Sequence, residues 1–97
     1  MRIVALSSLR AFWNKHLDAE TSLRAWYALA SRADWRTPAD IKAAYRNASF
    51  TANNRVAFNI KGNDYRLVVA VHYDRRMMYV RFIGTHRQYD KIDVATI

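Results

Sequence analysis

Between Arg55 and Asp93 apolar and polar residues alternate with a period of two, and the alternation breaks twice. Such a period predicts strands, because successive side chains of a strand point to opposite faces. Three strands are expected. Lys61-Gly62-Asn63-Asp64 reads as a tight turn, since Gly and Asn tolerate positive φ at little cost. Asp74-Arg75-Arg76 is a second short polar break between apolar runs. Parity then assigns faces. Val56, Phe58, Ile60, Tyr65, Leu67, Val69, Val71, Met78, Val80 and Phe82 form an apolar face for helices to cover. The other face carries Lys61, Arg66, His72, Tyr79 and Arg81. An ordinary solvated sheet face alternates in the same way. Four cationic or imidazole groups beside a tyrosine point instead to an anion-binding surface.

Upstream the period becomes helical. Residues 1–5 suit a short strand, and Ser7 or Ser8 offers an N-cap. Leu6, Leu9, Phe12, Trp13 and Leu17 follow at helical spacing, so a first helix is predicted to run to about His16. His16 reads as structural, at a helix C-terminus. After a polar break at residues 18–21, Thr21 is expected to cap a second helix with a stripe of Leu23, Trp26, Tyr27 and Ala30. Thr37-Pro38-Ala39-Asp40 has the form of an N-cap, a proline at the first helical position and a capping-box acid, so a third helix reaches about Arg46. Residues 47–54 read as a polar loop anchored by Phe50.

Ninety-seven residues make one domain, 1–97, with 52% hydrophobic residues for a core. Net charge is +8, and 12 of the 16 basic residues are arginine, whose planar fork suits phosphate oxygens. That balance favours nucleic acid or an acidic protein as partner. No cysteine is present, which excludes disulfides and thiolate metal sites. No apolar run reaches the roughly 18 residues of a membrane span, and the first six residues are too short for a signal-peptide core, so a cytoplasmic location and no membrane partner are expected.

Phosphate-loop, dinucleotide, serine-hydrolase and zinc-protease motifs are absent. The three histidines have no metal-ligand spacing, so no metal and no cofactor are expected. Chemistry, if present, falls to His, Tyr, Arg and Lys, a set suited to attack on a phosphodiester. Thr85-His86-Arg87-Gln88-Tyr89-Asp90 follows the third strand. If Thr85 caps a helical turn there, His86, Tyr89 and Asp90 become neighbours, giving an acid–base cluster. A capping turn whose His and Tyr only satisfy hydrogen bonds explains the same spacing.

Several motifs in order, Trp35-x-Thr37-Pro38-Ala39-Asp40-Ile41-Lys42, Phe58-Asn59-Ile60-Lys61-Gly62-Asn63, Tyr65-Arg66-Leu67 and Gly84-Thr85-His86-x-x-Tyr89-Asp90, resemble the HigB toxin family of the RelE superfamily. The resemblance implies an α+β fold, a RelE-like small, mostly antiparallel sheet backed by N-terminal helices. It implies a ribosome-dependent, metal-independent mRNA endoribonuclease of a type II toxin–antitoxin system. The implied partners are the ribosome, mRNA and a HigA-like helix-turn-helix antitoxin, with operator DNA met indirectly through that antitoxin. By position, Arg66, Arg81, His86 and Tyr89 become the catalytic candidates, with either His86 or Tyr89 moving the proton. Asp90 is expected to orient His86 or an arginine. Lys61, Arg87, Arg55 and His72 become the RNA contacts. A non-catalytic RNA- or DNA-binding module is the alternative drawn from the same basic face.

Overall fold

The computed structural model describes residues 1–97. Five strands form one sheet in the order β1-β5-β4-β3-β2, with β1 (Arg2–Val4) parallel to β5 (Met77–Thr85) and all other neighbours antiparallel. The three strands predicted downstream are β3 (Arg55–Ile60), β4 (Tyr65–His72) and β5, and the short strand expected within residues 1–5 is β1. The fifth strand is β2 (Ser49–Thr51). β2 lies inside the segment expected as a loop, and its Phe50 is exposed rather than an anchor.

Three helices cover one face. α1 (Leu6–Lys15) buries Leu9 and Trp13, α2 (Glu20–Arg32) buries Leu23, Trp26 and Ala30, and α3 (Pro38–Ala44) buries Ile41. They meet Val56, Phe58, Ile60, Tyr65, Leu67, Val69, Val71 and Met78 of the sheet in one core. Trp26 and Tyr45 pack edge-on against Phe58, with ring centroids 5.4 and 5.2 Å away. These edge contacts add to the burial of large apolar area.

The capping box at Thr37 and Asp40 forms as the residues dictate. The caps of α1 and α2 are instead Ala5 and Ala19, neither with a side-chain bond. Ser7 and Thr21 therefore lie inside helices, and a single turn of 3-10 helix (Leu17–Ala19) delivers the chain into α2. α3 stops at Ala44, two residues short of Arg46.

Parity holds through β3, β4 and the first half of β5, then inverts. Val69 pairs with Val80 but Val68 pairs with Phe82, so Arg81 is the extra residue of a β-bulge. Beyond it Ile83 opposes Leu67 and packs on the core, while Phe82 joins Val68 on the opposite face. The expectation that Phe82 is core and Ile83 is not is thus reversed, because one inserted residue shifts every later side chain to the other face. That opposite face is not a simple solvated surface. Ala57, Val68 and Ala70 are buried on it, and the chain's last residues return to it, where Asn53 Nδ2 donates to the Ala95 oxygen at 2.9 Å.

Candidate active site

The hairpin turn fixes the register at the heart of this face. Ile60 pairs with Tyr65 across the Lys61–Asp64 turn, so Asn59 must sit beside Arg66, and on the far side Arg66 faces Gly84. Arg66 is the only charged side chain buried in the protein, 8% exposed. One terminal nitrogen donates to Asn59 Oδ1, and the other donates to Ser49 Oγ at 3.2 Å. No carboxylate pairs with it, and its buried Nε has no hydrogen-bond partner. A buried cation without a counter-charge is costly, and an unsatisfied buried donor adds about 1–3 kcal/mol. The arrangement is complementary to an anion.

Thr85 closes a second capping box with Gln88 and starts α4 (His86–Tyr89), as its position predicts. The short helix lies against Arg66, whose guanidinium carbon stands 4.6 Å from the centre of the Tyr89 ring. The His86 ring is 5.9 Å from the Tyr89 ring, and its Nδ1 is 3.8 Å from Asp90 Oδ1, long for a hydrogen bond but close enough for attraction once the imidazole is charged. Phe82 borders Tyr89, with centroids 6.4 Å apart. Gly84 makes the approach of α4 possible. A Cβ there would lie 2.6 Å from both Gln88 Oε1 and Phe82 Cζ.

Arg66, His86 and Tyr89 are therefore brought together. Arg81 and His72 form a separate group around Tyr79. The Arg81 guanidinium is 5.6 Å and the His72 ring 5.2 Å from the Tyr79 ring centre. Tyr79 pairs with Ala70, four residues along β4 from Arg66, about 13 Å away. Arg87 is exposed on α4. Arg55 is on the face but donates to the Ile97 oxygen and to the Asn53 carbonyl, the latter at 2.8 Å.

Lys61 departs from the expected face. It adopts the left-handed conformation, φ 52°, so strand alternation ends before it. Its Nζ donates to Asp18 Oδ2 at 2.8 Å, beside a 2.6 Å bond from the Tyr65 hydroxyl to Asp18 Oδ1. Tyr65 belongs to the helix-covered core, so Lys61 is held on that side and not beside Arg66. The hydrogen bond to Asp18 raises the Lys61 pKa, and the bonds from Lys61 and Tyr65 lower that of Asp18.

Asn59 and Ser49, which grip Arg66, are absent from the sequence-derived site. The hairpin register would have found Asn59. Ser49 lies in β2, a strand too short to show a period. No group of three or more His, Asp or Glu side chains is placed to hold a metal ion.

A five-stranded, mostly antiparallel sheet, three helices on one face and a cation–aromatic site under a C-terminal helical turn define a small α+β domain of RelE-like architecture. The profile of the HigB toxins, described as the RelE-like toxic component of a toxin–antitoxin system, matches residues 19–92. The chain belongs to that family. It is similar to the mRNA interferase toxin HigB of Escherichia coli K12, 26% identical over 93 residues that cover 93% of this chain and 88% of that protein. It is also similar to the mRNA interferase HigB of Escherichia coli O6:H1, 22% identical over 94 residues, 95% of this chain and 91% of that protein.

Proposed function

We propose that this toxin is an mRNA interferase that cuts translated mRNA on the ribosome, in the cytoplasm, and is neutralised by a HigA-like helix-turn-helix antitoxin. The observation that carries the chemistry is Arg66, a buried cation with no carboxylate and a free Nε, roofed by Tyr89 with His86 alongside. The names of the two relatives support the substrate class.

In the proposed reaction the ribose 2′-oxygen attacks the adjacent phosphorus. The new O–P bond forms, the bond to the 5′-oxygen breaks, and a 2′,3′-cyclic phosphate and a 5′-hydroxyl result. A base takes the 2′-hydroxyl proton, and an acid gives one to the leaving oxygen. Tyr89, over the Arg66 guanidinium, and His86, next to Tyr89, are the two groups assigned these roles. Arg66, held by Asn59 and Ser49 before substrate arrives, stabilises the charge that develops on the phosphate, the role a metal would otherwise fill. Arg81, His72 and Arg87 supply further contacts to the RNA backbone or ribosomal RNA, and Arg55 and Lys61 supply charge at the margins once their present partners yield.

The test is mapping of mRNA ends after incubation with the toxin, with and without ribosomes and with a chelator. Ribosome-dependent cuts that survive chelation are expected. Binding without any cut would favour a non-catalytic RNA-binding module.

A further inference from the structure

β2 pairs with β3 only as far as Ser49 opposite Ala57. Beyond that point the outer edge of β3 has no neighbouring strand, and the chain swings away through residues 44–48 towards α3. The gap between that segment and the hairpin turn is a pocket of about 400 Å³. Asn47, Asn59 and Asn63 line it, with Tyr45, Arg46 and Ala44. Asn59 also belongs to the Arg66 site, where its Oδ1 accepts from the guanidinium. Its Nδ2, both polar atoms of Asn47 and Asn63, and the Arg46 guanidinium make no hydrogen bond within the protein. Two amides without a partner and the free Nδ2 of a third thus surround a cavity one side chain away from a buried anion-complementary cation.

We infer that this pocket receives a nucleobase of the bound RNA, next to the phosphate held by Arg66, and reads its identity. This rests on the reading of the Arg66 site as a phosphate site. Amide groups present donors and acceptors side by side, as base edges do, and single-stranded RNA is read on such edges once a base is splayed out. The volume lies within the range of small-ligand pockets. Asn59 couples the two sites, because the atom facing Arg66 fixes which end of its amide faces the pocket. Arg46 at the rim is placed for the next phosphate along the strand.

The experiment uses the 15N-labelled full chain and four 2′-O-methyl trinucleotides that differ only in the central base, with inorganic phosphate as a separate titration. The expected result is movement of the Asn47, Asn59 and Asn63 side-chain amide signals, with one base bound at least about fivefold tighter than the weakest, the low end of what an amide–base pair discriminates. Ala44→Trp, which fills the pocket, should erase that preference yet leave the Arg66 Nε response to phosphate intact. Asn63→Ala, in an exposed turn, should reduce the preference if the bulkier variant fails to fold. Amide signals that stay still for all four RNAs, or equal affinities for all four bases, overturn the inference. Moving amides with an Arg66 signal blind to phosphate support the pocket and sink the phosphate site instead.

Discussion

Arg66 and Arg81 stand on one face of one sheet, yet they are different kinds of arginine. Arg66 is buried, gripped by Asn59 and Ser49 and roofed by Tyr89. Arg81 is exposed on a bulge, with the face of Tyr79 as its neighbour. The first is positioned before any ligand arrives, which is what charge stabilisation in a reaction requires. The second keeps its hydration and its freedom, which suits a backbone contact that adds affinity. A shared face and a shared charge do not imply a shared role.

The largest effect is expected from the scaffold. Phe58→Ala empties a fully buried site and should cost about 3–5 kcal/mol in denaturant unfolding. Phe82→Ala, on the face opposite the core, should cost clearly less while slowing cleavage through Tyr89. Equal destabilisation by the two would contradict the inverted parity of β5. Next come His86→Ala and Tyr89→Phe. At least one should slow single-turnover cleavage by about 10²-fold with ribosome binding unchanged, in line with a proton-transfer group. Arg81→Ala should do less to the chemistry. It should flatten the dependence of binding on salt by about one unit, as loss of one phosphate contact does.

The smallest effect belongs to the Asp18–Lys61 pair, away from both arginines. The Asp18 pKa is lowered, chiefly by the hydrogen bond from Lys61, so its contribution to stability is present above the ordinary aspartate value near 4 and fades as pH falls through the lowered one. The Lys61 pKa is raised by the same bond, so its contribution is present below about pH 10 and fades as pH rises further. Asp18→Asn should flatten stability at both extremes and, by freeing Lys61, should not weaken cleavage near neutral pH. A loss of cleavage at neutral pH would mean that Lys61 must be held where it is for function.

Much of this was legible in the residues. The 61–64 turn and period-two alternation gave β3, β4 and the start of β5, and Thr85 with Gln88 gave the turn that carries His86 and Tyr89. The bulge at Arg81 was not legible, since no glycine or proline marks it, and it alone moved Phe82 to the face that carries Arg66. β2 was hidden because three residues with an outward phenylalanine show no period. Strand alternation puts Lys61 on the wrong face because its left-handed conformation, usual for glycine or asparagine, ends the alternation one residue early. Ala5 and Ala19 cap helices without a side-chain signal, so no pattern could reveal them.

The most direct test of the account is single-turnover cleavage of a ribosome-bound mRNA by Arg66→Ala and Arg81→Ala, with binding measured in parallel and folding checked by circular dichroism. Arg66→Ala should lose about 10²–10³ in rate at saturating toxin, the effect of removing one preorganised donor to a developing negative charge. Arg81→Ala should keep most of its rate at saturation and lose affinity. A folded Arg66→Ala that cuts at the wild-type rate would contradict a catalytic role for Arg66.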